Sequence, residues 1–173
     1  MSDSYNASKP TIAVVFGGRS SEHVISCATA GSVLATIDRE RYNVVPVGIA
    51  TDGRWVLADG DPEQLRIRSA DELPSVDGTA TPIALAPADG SARLTVSPAG
   101  TPPQVLGDVD VVFPLLHGPW GEDGTLQGML EMVGVRYVGC GVLASAIGMD
   151  KAYMKVVLNE AGHVIREQAI SMR

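Results

Sequence analysis

Three short stretches hold residues whose types and spacing can do chemistry. In "LLHGPWGEDGTLQGML", Leu115 to Leu130, a histidine, several glycines, a tryptophan and two adjacent carboxylates stand between an apolar run and an amphipathic one. His117 follows the apolar run at once, and a helix N-terminus expected near Asp123 or Gly124 points back at the same region. A carboxylate or phosphate there would meet an imidazole donor and free backbone N–H groups. Glu122 and Asp123 can be read as an acid/base pair. Adjacent side chains rarely aim at one atom, so the preferred reading is that one caps the helix and the other anchors the loop. Glu122 is also expected to orient His117, because a tight loop can bring side chains five residues apart together and an imidazole needs its other nitrogen fixed.

The second stretch is "FGGRSSEH", Phe16 to His23. Gly17 and Gly18 allow close backbone approach, and the N–H groups of a following helix favour an anionic group. This loop lacks the G-x-G-x-x-G dinucleotide pattern. Glu22 can hold a substrate ammonium, or it can be a first-turn acid stabilised by the helix dipole. The residues leave both readings open. The third stretch is "MDKAYMK", where Lys151 and Lys155 stand one turn apart. They can supply a phosphate-facing cation and a supporting one, or both can be solvated. No G-x-x-x-x-G-K-[ST] occurs, so a P-loop is excluded. His23, His117 and His163 form no two-ligand cluster, so no metal site is expected from them.

The elements that position these residues follow from hydrophobic period. "TIAVVF" from Thr11 is a continuous apolar run ending in Gly17-Gly18, which predicts a strand buried on both faces. Val24, Ala28, Gly31 and Leu34 recur at helical spacing after it, with Ser20 or Ser21 as N-cap. "NVVPVGIA", Asn43 to Ala50, is the next strand, and this β-α-β order implies a right-handed parallel crossover. "GRWVL" adds a short strand. Residues 58–107 are dense in Asp, Gly, Pro, Ser and Thr and read as an irregular surface insertion, although "IALAPADGSARLTV" has the form of a hairpin. "DVDVVFPLL", Asp108 to Leu116, is read as one buried strand. Leu126, Met129, Leu130 and Val133 then mark a helix that Gly134 stops. "VRYVGC" is a strand and "GVLASAIGM" a short helix. Asp150 caps a last helix carrying Met154, Val157, Leu158 and Ala161, and "HVIREQAI" alternates like a strand. The sum is an α/β fold with an open, doubly wound, mostly parallel sheet over residues 11–149. Residues 150–173 read as the start of a second domain.

Composition narrows the partners. The chain has 173 residues, and 13 Lys+Arg against 20 Asp+Glu leave a formal charge of −7. A nucleic acid or an anionic membrane surface needs a basic footprint, so a small molecule is the expected ligand. No apolar run reaches the roughly 18 residues of a membrane span. The polar start, "MSDSYNASKP", has no apolar h-region and reads as a short disordered tail, residues 1–10, of a cytoplasmic protein. Cys27 and Cys140 are read as ordinary buried small residues.

Taken together, "VVFGGRSSEHVIS", "FPLLHGPWGEDGTLQGMLEMVGVRYVGCGVLASAIGMDK" and the following Lys155 make the chain resemble the N-terminal part of the D-alanine–D-alanine ligases, an ATP-grasp family. The match runs from about Thr11 to Gly162. The resemblance implies a pre-ATP-grasp, Rossmann-like unit followed by the beginning of a central ATP-grasp domain. It implies an ATP- and magnesium-dependent joining of two D-alanines through a D-alanyl phosphate, for peptidoglycan precursors. By the same resemblance Glu22 orients the ammonium of the first D-alanine, His117 lies beside the substrate carboxylate, Lys151 contacts ATP phosphates, and the Gly17-Gly18 loop faces the cleft. Magnesium ligands are expected outside this chain, and pairing of two copies through this unit is implied. Where members of the family continue with Gly-Leu-Pro, this chain has "GHVIREQAI". A chain of this extent is expected to be inactive as a ligase by itself. The alternatives are a D-alanine-binding or dimerisation module without chemistry, and an ATP-grasp ligase with a different second substrate.

Overall fold

The computed structural model describes residues 9–88 and 91–163. Strand β1 (Thr11–Gly17) pairs in parallel with β2 (Asn43–Ile49) on one side and with β7 (Val111–Pro114) on the other. The two-residue strand β8 (Arg136–Tyr137) extends the sheet in parallel, and β3 (Trp55–Leu57) closes the far edge antiparallel to β2. The order is β3-β2-β1-β7-β8. Because successive side chains point to opposite faces, β1 feeds two cores. Ala13 and Val15 enter one, while Val14 and Phe16 enter the other. The apolar run therefore has the two-sided burial that its lack of alternation implied.

Helix α1 (His23–Thr36) covers the second face. Its buried stripe is His23, Ser26, Cys27, Ala30, Gly31 and Leu34, so Val24 and Ala28 lie on the flank of the predicted face. Gly31 is where segment 61–65 crosses: a Cβ there would stand 3.0 Å from the Leu65 Cβ and 3.2 Å from the Pro62 carbonyl oxygen. On the opposite face α2 (Thr125–Val133) packs through Leu126 and Leu130, and Gly134 ends it in the left-handed conformation, as its position after the apolar stripe required.

The segment read as an irregular insertion is structured in its second half. Strands β4 (Ile83–Ala88), β5 (Ser91–Val96) and β6 (Gln104–Val109) form an antiparallel three-stranded sheet. Ile83, Ala92, Leu94, Val96 and Val109 join the same core as α2. The predicted hairpin is present, with Ala88 opposite Ser91. What composition concealed is that this sheet, together with one helix, covers a face of the parallel sheet. The predicted single strand from Asp108 to Leu116 is also corrected. It breaks at Asp110, whose carboxylate accepts the Thr11 N–H at 2.7 Å and whose own N–H donates to the Thr11 carbonyl at 3.0 Å. The chain changes sheets there. A continuous apolar run carries no mark of such a switch.

Helices α3 (Val142–Met149) and α4 (Lys151–Glu160) follow, and Asp150 caps α4 by accepting the Ala152 and Tyr153 N–H groups. No residue of α4 is buried, so the stripe through Met154, Val157 and Leu158 has the predicted spacing without a covering surface. Cys27 is buried as read, whereas Cys140 is exposed. The strand expected at "HVIREQAI" and most of the N-terminal tail lie outside the described residues. No helix among the described residues is long and apolar enough to cross a membrane.

Candidate functional site

Two loops meet at the carboxyl ends of the parallel strands, where open α/β sheets place their ligands. The first leaves β1 at Gly17 and enters α1 at His23. It is anchored from beneath. The Gly17 N–H donates to Ser26 Oγ at 2.8 Å, and that hydroxyl donates to the Leu115 carbonyl at 2.6 Å. The Gly18 N–H donates to the Ile49 carbonyl at 2.7 Å. Buried His23 completes the anchor. Its Nδ1 lies 2.7 Å from the Gly18 carbonyl and its Nε2 accepts the Val76 N–H at 3.2 Å. The proton therefore belongs on Nδ1, an assignment that follows from the partners. Neither predicted serine caps α1 in the ordinary way. Instead the Ser20 hydroxyl accepts the Glu22 N–H and donates to the His117 carbonyl at 2.7 Å.

The second loop runs from His117 to Gly124 and is tied mainly to itself. Glu122 Oε2 accepts the Gly118 N–H at 2.7 Å, while the Glu122 N–H returns to the Gly118 carbonyl at 2.9 Å. Asp123 accepts the N–H groups of Trp120 at 2.8 Å and Thr125 at 3.0 Å. Partial burial pushes the Asp123 carboxyl up, but the hydrogen bonds from Trp120 and Thr125 together outweigh it and hold the group below the ordinary aspartate value. The expected division into a loop anchor and a helix cap is corrected in part: Glu122 anchors the loop, but the N-cap of α2 is Gly124 with no side-chain cap bond, and Asp123, one residue earlier, ties the loop at Trp120 to the first helical N–H at Thr125. Gln127 adds a bond that sequence reading missed: its buried amide donates to the Gly121 carbonyl at 2.9 Å.

The expectation that Glu122 orients His117 is corrected. Glu122 acts on the backbone of Gly118, and the imidazole is partnered from the other loop's helix, with Thr29 Oγ1 3.2 Å from His117 Nε2. The Thr29 hydroxyl has one proton, and the Ile25 carbonyl at 2.9 Å takes it. His117 Nε2 is then the donor, and Nδ1 has no hydrogen-bond partner among the described residues. The sequence held a sign of this. Glu22, Ser26 and Thr29 stand at i, i+4 and i+7, a polar stripe along the start of the helix.

Glu22 comes to the same place. A Cβ on Gly118 would sit 2.9 Å from Glu22 Oε1, so the carboxylate rests against the residue that follows His117. Gly118, at φ 71°, is required by both backbone and neighbour. The backbone donors nearby are mostly committed. Thr125 donates to Asp123, Leu126 to the Trp120 carbonyl and Gly128 to the Gly124 carbonyl, while Gly17 and Gly18 are used as above. The open anion cradle expected at the start of α2 is thus largely closed. What remains for a ligand is one carboxylate acceptor, Glu22, and the Nδ1 of His117 on the facing loop, an acceptor in the neutral ring and a donor to a carboxylate once the ring carries its second proton.

Other candidates lie apart. Lys151 is exposed at the first position of α4, with Lys155 one turn on, and Asp150 already occupies N–H groups at that helix end. No group of three His, Cys, Asp or Glu among the described residues can hold a metal ion. Neither a magnesium site nor a phosphate cradle is complete here. Cys27 is no nucleophile, because burial pushes its thiol up to about 12.

Comparison with known proteins decides the family. The family described as "D-ala D-ala ligase N-terminus" matches residues 11–140, which spans both loops. The chain belongs to this ligase family. A D-alanine–D-alanine ligase of Paenarthrobacter aurescens is 55% identical over 154 residues, covering 89% of this chain and 40% of that protein. One from Arthrobacter sp. is 58% identical over the same shares. Among solved structures, the VanG D-Ala:D-Ser ligase of Enterococcus faecalis has a TM-score of 0.73 at 31% identity, covering 92% of this chain and 44% of that one. The D-alanine–D-alanine ligase of Coxiella burnetii has a TM-score of 0.69 at 38% identity, covering 90% and 42%. The chain thus spans about 40% of the length of the curated ligases it matches.

Proposed function

We propose that this chain supplies the part of a peptidoglycan-forming ligase that holds the first D-alanine. A single observation carries the reading: the Glu22 carboxylate rests on Gly118, the residue after His117, which brings an ammonium acceptor to the loop that bears the imidazole. Around them the backbone donors of Gly17, Gly18, Gly118, Trp120, Thr125 and Leu126 are already used within the protein. Such a site selects a small zwitterion over a simple anion, since an anion would meet Glu22 unpaired. Glu22 takes the ammonium, and His117, steadied by Thr29, orients the carboxylate through Nδ1 in the form of the ring that carries both protons.

ATP and magnesium, implied by the resemblance, do not find a complete site among the described residues, so no step through them is derived. Lys151 is proposed to reach phosphate from the start of α4. Ligase activity, the choice of second substrate, action in the cytoplasm and pairing of two copies belong to the proposal for the whole protein. Two experiments test the reading. Isothermal titration of the chain with D-alanine, propionate and ethylamine should give binding heat for the zwitterion alone. Equal binding of propionate would overturn the charge-paired site. In a coupled ADP-release assay with ATP, magnesium and D-alanine, the chain alone should show no D-alanine-dependent turnover. Sustained turnover would refute its dependence on further structure.

A further inference from the structure

Trp120 is the one non-glycine with positive φ among the described residues, at 67°. A bulky residue in that region is an outlier held by its surroundings. The holders are specific. The Trp120 N–H donates to Asp123 Oδ2 at 2.8 Å, and its carbonyl accepts the Leu126 N–H at 3.2 Å. The indole meets the other loop there, with the Arg19 guanidinium carbon over the ring, 5.4 Å from its centroid. The Arg19 stem in turn lies along the turn after β2, its Cδ 3.0 Å from where a Cβ on Gly53 would be. Arg19 makes no ion pair among the described residues. Its charge is therefore free to face the ring, an arrangement worth a twofold to fivefold change in an equilibrium when exposed.

Position gives the contact its meaning. Arg19 precedes Glu22 by three residues, and Trp120 follows His117 by three. Together with the Ser20-to-His117 hydrogen bond, the stack joins the two loops on either side of the ligand-facing pair. It also forms part of the wall of a cavity of about 180 Å³ at the strand ends, which Trp55, Leu116 and Met129 line as well. Both tryptophans of the chain border that cavity.

We propose that Arg19 and Trp120 are positioning residues, a clasp whose guanidinium–indole contact, imposed by the left-handed backbone at Trp120, fixes the separation of Glu22 from His117. The part of this inference that concerns D-alanine rests on the function proposed above; the clasp itself does not. The test uses the whole chain and the variants Arg19→Met, Arg19→Lys, Trp120→Asn and Trp120→Phe. Asn tolerates the left-handed backbone, so Trp120→Asn removes the indole and should move Tm by less than about 3 °C, the shift of roughly 1 kcal/mol in a chain of this size. Amide hydrogen exchange should quicken about twofold to fivefold in both loops for Arg19→Met and Trp120→Asn, and stay near wild type for Arg19→Lys and Trp120→Phe. Where D-alanine binds the wild type, its affinity should fall by a similar factor in the first two variants only. Exchange unchanged, or quickened in one loop alone, would overturn the clasp. Loosened loops with unaltered D-alanine affinity would overturn its positioning role. Absence of D-alanine binding in the wild type would refute the proposed function and leave the exchange result to decide the clasp.

Discussion

The two loops at the strand ends are built on opposite plans, and their histidines show it. His23 is 5% exposed and holds the Gly17-Gly18 loop to Val76 through both ring nitrogens. His117 is half-buried, uses one nitrogen on Thr29 and leaves the other without a protein partner among the described residues. The first loop is fastened to the core, whereas the second is fastened by its own acids, Glu122 and Asp123. The contrast teaches where rigidity and chemistry reside. Breaking the first loop should cost stability, and breaking the second should change geometry with little loss of fold.

The sharpest way to break this contrast is Gly17→Ala. Its new Cβ would meet the Ile49 carbonyl oxygen and Val76 Cγ2 2.7 Å away, at φ 89°. Left-handed strain of about 1–2 kcal/mol and overpacking of about 1–3 kcal/mol add to roughly 2–5 kcal/mol. Chemical denaturation should report that loss, with Tm lower by about 10 °C. A near-normal Tm would mean that the loop is not fixed by the core. Next comes His23→Ala, which strands the Gly18 carbonyl and the Val76 N–H and should cost about 2–3 kcal/mol. His117→Ala, by comparison, should cost under about 1 kcal/mol, because Thr29 keeps its bond to Ile25. Equal losses for the two histidines would erase the distinction drawn here.

Much of this plan was legible in the sequence, for reasons particular residues make plain. A strand buried on both faces must be apolar throughout, so "TIAVVF" announced itself, and Gly134 could only stop the helix before it. Glu122 was misread because sequence distance counts residues, whereas the imidazole's true partner, Thr29, reaches it across 88 positions from the facing helix. In the segment 58–107 the β4–β5 hairpin was legible, whereas the third strand, β6, was hidden because most of its residues are exposed and its Gly107 reads as loop. The switch at Asp110 was hidden because the carboxylate that makes it bonds to Thr11, 99 residues away.

Smaller effects refine the second loop. Asp123→Asn should remove a pH dependence. With its folded-state value depressed, Asp123 adds stability that is complete above the ordinary aspartate value and is lost as pH falls through the lower, folded one. Denaturation curves across that acid range should be flatter for the variant than for wild type, and identical slopes would deny the carboxylate its role at the helix start. Glu122→Gln keeps an acceptor for the Gly118 N–H and should change stability by no more than about 0.5 kcal/mol. A loss near that of His23→Ala would make this loop as core-dependent as the first.

The central claim is that Glu22 and His117 flank one amino-acid site. Isothermal titration of D-alanine into the chain and its Glu22→Gln variant tests it most directly. One site is expected in the wild type, with an affinity at least tenfold weaker in the variant, the scale of a lost charge-assisted hydrogen bond, and the same Tm in both. D-alanine binding of equal strength in the two proteins would contradict it.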